Sequence, residues 1–300
     1  MKGEIALYKK KNLTEIDDPT VDVPISFINK GDTPLRIAIC QGNLEVLQTL
    51  VDAGASLDRV TDDGFTPLQT TAQHASGAQV RVLIEAGADV ESYNPQRYKP
   101  LHLAVMKCNE SSVLALLDAG ADVNAMGGAN DKTPLIYASE DNVIEGDRVA
   151  LIPTLVRYGA VVDKLGGPGC TALTATTENN APRAVRALID HGANINAIGM
   201  DGNTLLHDAA IEGFLEVAQV LIAAKAKLDV INTENSCAPL HLAANFGHTA
   251  IVQALVNAGA SLELETSKVD TSLLIAMAKG HKATARVLTQ AGIRLDEEDL

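Results

Sequence analysis

Apolar positions along this chain come in short helical blocks, and the stretch from Asn235 to Glu263 shows the rule. Ile251 and Leu255, and likewise Val252 and Val256, stand four apart and share one broad helical face. They predict a helix from about Thr249, read as its N-cap, to Asn257, closed by Gly259. A preceding helix is predicted over Pro239–Phe246. Pro239 suits a first helical position, Ala243 and Ala244 allow close packing, and Gly247 supplies a left-handed end. Both helices are too short to be stable alone, so the unit must bury its face against a copy of itself.

Copies occur throughout the chain. Gly-small pairs recur at Gly54-Ala55, Gly87-Ala88, Gly120-Ala121, Gly159-Ala160, Gly192-Ala193 and Gly259-Ala260, with Lys225-Ala226 and Gly292-Ile293 in the two remaining places. A second landmark runs in the same register, from Thr33-Pro34-Leu35 and Thr66-Pro67-Leu68 through Ala238-Pro239-Leu240 to Thr271-Ser272-Leu273. Two landmarks holding one register over eight units, at steps near 33 residues, make an array of repeats. The period and the Pro-Leu-His-x-Ala run at Pro239–Ala243 resemble the ankyrin repeat over residues 29–296. The resemblance implies an all-α solenoid of helix-turn-helix units joined by β-hairpin or loop connections. Repeats are expected at about 29–60, 61–93, 94–127, 128–165, 166–198, 199–231, 232–264 and 265–296, with a 297–300 acidic tail.

Residues 1–28 precede the array. Val21, Val23, Ile25 and Phe27 alternate as an extended chain would and are expected to cover the open face of repeat one. Repeat four carries extra residues between Ala138 and Leu155, and Pro153 must kink its second helix or reset its start. Pro182 is read as a helix start in repeat five. Thr71 is expected to turn its hydroxyl to a helical carbonyl. The polar helix from His281 to Gln290, with Lys282, Thr284, Arg286 and Thr289, is read as a wet terminal face.

Composition narrows the chemistry. Aromatics make up 3% and Trp is absent, so the core must be small and aliphatic. Cys40, Cys108, Cys170 and Cys237 lie too far apart in an array to pair, which favours free thiols and an intracellular, reducing compartment. No signal peptide or spanning segment is expected. Net charge is −14, which disfavours nucleic-acid and anionic-membrane binding and favours basic protein partners.

Catalytic motifs do not emerge. His102, His207 and His241 hold the histidine place of the ankyrin motif, where the resemblance implies a strut between neighbouring hairpins. His248 and His281 follow the glycine that ends the first helix, His191 sits at a helix C-terminus, and His74 alone falls outside the register. The Gly166–Gly169 run lacks the Lys-Ser/Thr of a phosphate loop. The cluster Glu140, Asp141, Glu145 and Asp147 is read as a solvated connector, with an acidic contact patch and a divalent-cation site as alternatives.

The expectation is a non-enzymatic monomer, with no cofactor or metal, that binds a protein partner along one open groove. Phe65, His74, Tyr98 and Met106 are the candidate anchors, and Glu140, Asp141, Glu145, Asp147 and Glu178 a candidate acidic rim. An assembly scaffold, an inhibitor and a bacterial effector in a host cytosol all fit; Asp296–Asp299 resembles the acidic tail of some effectors. A nuclear adaptor carrying Lys9-Lys10-Lys11 and a small-molecule enzyme are the remaining readings.

Overall fold

The computed structural model describes residues 33–292, apart from 75, 141–146, 168, 179, 200–201 and 269 and the side chains of Thr177 and Glu178. The predicted extended strip at 21–27, Lys9–Lys11 and the acidic tail lie outside the described residues.

Fifteen α-helices and no β-strand occur among the described residues, as an all-α ankyrin fold requires. The connections keep only single antiparallel bridges, such as Gly127 with Lys132 and Glu265 with Thr271. Contacts divide the chain into two units, one drawn from residues 1–138 and 142–161, the other from 139–141 and 162–300.

In the first unit the pairs are α1 (Pro34–Cys40) with α2 (Leu44–Asp52), α3 (Pro67–His74) with α4 (Gly77–Glu85), and α5 (Pro100–Met106) with α6 (Glu110–Asp118). Helix α7 (Pro134–Ser139) starts the fourth pair, and a 3₁₀ turn at Arg148–Leu151 leads into α8 (Ile152–Arg157). First helices pack on first helices (α1 on α3, α3 on α5) and second on second (α2 on α4, α4 on α6). Proline opens four of these elements, where its missing N–H is no loss. Thr33 Oγ1 accepts from Arg36 N–H at 3.2 Å and Asn43 Oδ1 from Val46 N–H at 3.1 Å, which satisfies two otherwise orphaned donors. Leu47, Leu50, Val80, Leu83, Val113, Leu116, Ile152 and Leu155 form a dry seam, each at most 1% exposed.

The second unit repeats the plan with α9 (Pro182–Asp190), α10 (Leu205–Glu212), α11 (Leu215–Ala223), α12 (Pro239–Phe246), α13 (Thr249–Asn257), α14 (Ser272–Ala278) and α15 (Lys282–Gln290). Helices α10, α12 and α14 form one packed row and α9, α11, α13 and α15 the other. Gly247 ends α12 with φ 72°, the left-handed value that the absence of a Cβ makes inexpensive.

Several local expectations hold and others change. Thr71 Oγ1 donates to Pro67 O at 2.7 Å, and Pro182 opens α9. Pro153 resets rather than kinks its helix: it falls in the first turn of α8, where no ladder bond is lost. Thr249 is the first residue of α13 and not its N-cap. His248 takes the cap position, and the Thr249 hydroxyl pairs with Thr284 Oγ1 at 2.8 Å.

That contact also corrects Thr284, which is 1% exposed and belongs to the core rather than to a wet face. The first helix of repeat five reduces to a 3₁₀ turn at Thr174–Glu178. Thr176 Oγ1 donates to Leu173 O at 2.7 Å and Thr174 Oγ1 to Thr171 O at 3.2 Å, so hydroxyls take carbonyls that helical N–H groups would use.

Lys225 follows α11 at φ 66°, at the place where the seven other repeats carry glycine with φ between 84° and 108°. A side chain in this region is strained. Lys225→Gly is therefore expected to stabilise the second unit by about 1 kcal/mol, read as a rise in its urea midpoint.

Candidate functional site

In the first unit, the connection Thr61–Phe65 rises beside the first helices of repeats one and two. Between them opens a cleft of about 430 Å³ lined by Arg36, Cys40, Asp63, Phe65, Gln73 and His74, with Thr61 and Thr70 completing it. Two candidates from the sequence, Phe65 and His74, thus meet in one place although they lie nine residues apart. Thr61 Oγ1 accepts from Phe65 N–H at 3.1 Å and holds the turn that carries the ring. Phe65 is half-buried and His74 exposed. The imidazole pKa of His74 is lowered, first by partial desolvation of its ring against the cleft wall and then by the positive charges of Lys107 and Arg36. The corner thus sets the cations of Arg36 and Lys107 beside the carboxylate of Asp63.

The other candidates are placed elsewhere. Tyr98 is half-buried, its ring edge-on to Tyr137 at 5.8 Å and tilted against His102 at 6.3 Å. Asn94 Oδ1 accepts from its N–H at 2.7 Å. Its ring is thus engaged in packing within repeats three and four. Met106 is half-buried at the end of α5, and its carbonyl accepts from Arg148 Nε at 2.9 Å. Arg148 belongs to the stretch read from sequence as a polar connector, yet it is 5% exposed. Glu140 is half-buried and Asp147 exposed. Asp141 and Glu145 lie outside the described residues, as does the side chain of Glu178.

The histidines form a framework. Nδ1 of His102, His207 and His241 accepts the N–H of Lys99, Thr204 and Ala238 at 3.3, 3.1 and 3.0 Å. The proton therefore sits on Nε2, which donates to the connection that leads into the following repeat. His102 reaches Ala125 O at 3.1 Å and Lys132 O at 3.2 Å, His207 reaches Cys237 O at 3.1 Å, and His241 reaches Leu264 O at 2.8 Å. His248 and His281 span the other edge, donating to Ile211 O at 2.9 Å and Asn245 O at 3.0 Å. Burial lowers the pKa of His102 to about 4 and also lowers that of His241. All five rings bridge between elements of the array, and His102 and His241 do so as neutral hydrogen-bonding struts.

A second cleft, of about 300 Å³, lies in the second unit where the connection Thr266–Asp270 meets α12 and α14. Its walls include Cys237, His241, Asn245, Asp270, Leu274 and Lys279. Cys237 is buried, with its thiol pKa raised chiefly by that burial, and no disulfide occurs among the described residues. Among the described residues no three His, Cys, Asp or Glu side chains gather as a metal site, and no helix is long and apolar enough to cross a membrane. Sequence reading missed Arg36, Cys40 and Asp63 as cleft walls; nothing distinguishes them until α1 packs on α3.

A family model of ankyrin repeats matches residues 7–94, 35–127, 76–146, 143–232 and 225–299. The chain belongs to the ankyrin repeat family, whose repeats generally mediate protein–protein interaction.

Three relatives illustrate the range. Ankyrin repeat and SOCS box protein 16 of Homo sapiens is 33% identical over 146 residues, 46% of this chain and 32% of its own. Protein PhlB of Serratia liquefaciens is 34% identical over 116 residues, 39% of this chain and 51% of its own. A transient receptor potential cation channel subfamily A member 1 homolog of Caenorhabditis elegans is 30% identical over 126 residues, 42% of this chain and 10% of its own. The matched part thus spans between a tenth and about half the length of these relatives.

Proposed function

We propose that the chain is a non-catalytic protein-binding module whose first unit grips its partner at the Phe65–His74 cleft. The observation that carries this reading is the cleft itself: an aromatic side chain on a pinned turn beside polar and charged walls, open to solvent. Such a site offers an apolar anchor for one partner side chain, and its preorganised backbone loses little entropy on docking. The net charge of −14 steers basic proteins toward the chain, so association slows as salt rises. On this reading the chain works as an intracellular monomer, without cofactor or metal, and binds neither nucleic acid nor membrane. Tyr98 and Met106 support the geometry from within, and Glu140 and Asp147 contribute to the acidic field.

The test is affinity capture at low and high salt with mass-spectrometric identification, followed by titration of the partner found. Phe65→Lys is expected to weaken that partner at least about tenfold, as loss of a hot spot does. His74→Ala should weaken it less. Unchanged affinity in Phe65→Lys, with the fold intact by circular dichroism, removes the cleft from the binding surface.

A further inference from the structure

Nine large apolar side chains are strongly exposed among the described residues, and five of them occupy one place in the repeat. These are Val60 and Tyr93 in the first unit and Leu165, Ile198 and Ile231 in the second, each one residue before a connecting turn. The second unit holds the longer run. Leu165, Ile198 and Ile231 are 59%, 61% and 51% exposed, and half-buried Leu264 takes the same place in the next repeat. Exposed aliphatics scattered singly need no explanation, but one per repeat at a fixed step forms a patch.

The row is also held rigidly. Two residues before each of its first three members stands a side chain that accepts a backbone N–H from the next repeat. Asp163 takes that of Asn194 at 3.1 Å, Asn196 that of Lys227 at 2.8 Å and Asp229 that of Ser261 at 2.9 Å. One such bond at each interface fixes the distance between successive apolar side chains. Exposed Glu234, Glu263 and Glu265 flank the C-terminal half of the row in sequence, against Lys227 and half-buried Lys164 toward its start and middle.

From this we infer that the aliphatic row of the second unit is a docking surface for an amphipathic partner helix with an apolar residue at every seventh position and basic residues beside it. Neighbouring helix pairs pack roughly 8–10 Å apart. Seven residues of α-helix advance about 10.5 Å and return to the same face, so one partner side chain meets each member of the row. The drift of about 20° per heptad keeps four contacts within a stripe of roughly 100°. An extended strand covers the same step in about three residues, which turns every second contact away from the row. A polyproline helix, with three residues per turn, is the competing occupant. The inference rests on the protein-binding reading and names the kind of partner this second surface takes.

The experiment uses the full chain and a fluorescent peptide of about 25 residues with leucine at every seventh position and lysine and alanine elsewhere. Anisotropy is expected to show saturable binding that weakens at least about tenfold in the combined variant L165A, I198A and I231A. A peptide of the same composition with leucines scattered around the helix should bind at least about tenfold less well. Equal binding of the scattered peptide, or no loss in the triple variant, overturns the row as a docking surface. Tighter binding of a proline-rich peptide with leucine at every third position overturns the helical occupant. All three residues are more than half exposed, so the triple variant should keep its fold by circular dichroism. The two readings fail separately. A chain that captures a partner through Phe65 but ignores leucine placement loses only the row, and one that binds neither partner nor peptide loses both.

Discussion

Lowering the pH from 7 to 4 is expected to remove about 3 kcal/mol of stability from the repeats around His102. The ring is fully buried, and its pKa lies near 4 against about 6.5 in an unfolded chain. Burial is the main cause, and the hydrogen-bond pattern agrees with it: Nδ1 accepts the Lys99 N–H, so a proton there would set donor against donor. Below pH 6.5 the unfolded chain binds a proton that the folded one refuses, and stability declines until the folded pKa is passed near 4. The contribution is complete above 6.5. His241 acts in the same direction. Urea denaturation at pH 7 and pH 4 measures the effect. His102→Gln should be less stable at pH 7 yet lose less between the two pH values than the parent. Equal losses in variant and parent would remove His102 as the source of acid sensitivity.

Gly77→Ala is expected to destabilise the first unit by about 2–3 kcal/mol, although alanine is the better helix former by about 1 kcal/mol. Gly77 opens α4 and stands directly against Ser111 of α6. Its N–H donates to Ser111 Oγ at 2.9 Å, and an added Cβ would fall 2.3 Å from the Ser111 carbonyl oxygen. Backbone cannot rotate away as a side-chain tip can, so the two helices must separate. Each repeat leans only on its neighbours, and the damage should therefore stay local. Hydrogen exchange is the direct readout: amides of α4 and α6 should exchange faster while those of α13 and α15 do not change. Protection in α6 equal to the parent's would show that the contact yields at no cost.

The local plan of the repeats was legible because it depends on short-range physics. Pro239, Gly247 and the four-residue spacing of Ile251 and Leu255 define two helices and their ends without reference to anything distant. The strut role of His102, His207 and His241 came from the ankyrin resemblance, and their carbonyl partners lie 23 to 30 residues away, in the connections between repeats. Repeat five was less legible. Its threonines satisfy carbonyls through their own hydroxyls, a competition with helix that residue type allows but does not decide. Thr284 misled for a related reason: a hydroxyl reads as polar surface, yet a matching hydroxyl on Thr249 makes it suitable for a buried interface.

The candidate site divides in the same way. Phe65 and His74 could be chosen from their places in the repeat, but Arg36 and Cys40 join them only once α1 lies on α3. Tyr98 carried the same sequence signal as Phe65, and its half-buried ring also packs edge-on to Tyr137, a contact that only the tertiary structure supplies. The step that places Leu165, Ile198 and Ile231 in line was visible in the sequence. That they stand out from the surface rather than pack inside was not.

By itself, then, the sequence determined the repeating unit, most of the helix starts and ends, and the small aliphatic seam, since these follow from residue type and spacing along one stretch of chain. Tertiary structure alone decided which side chains share a cleft, which polar groups are buried and which apolar ones remain in water. Those outcomes turn on distances between residues about thirty positions apart, where a shift of an ångström or two changes a contact into a gap.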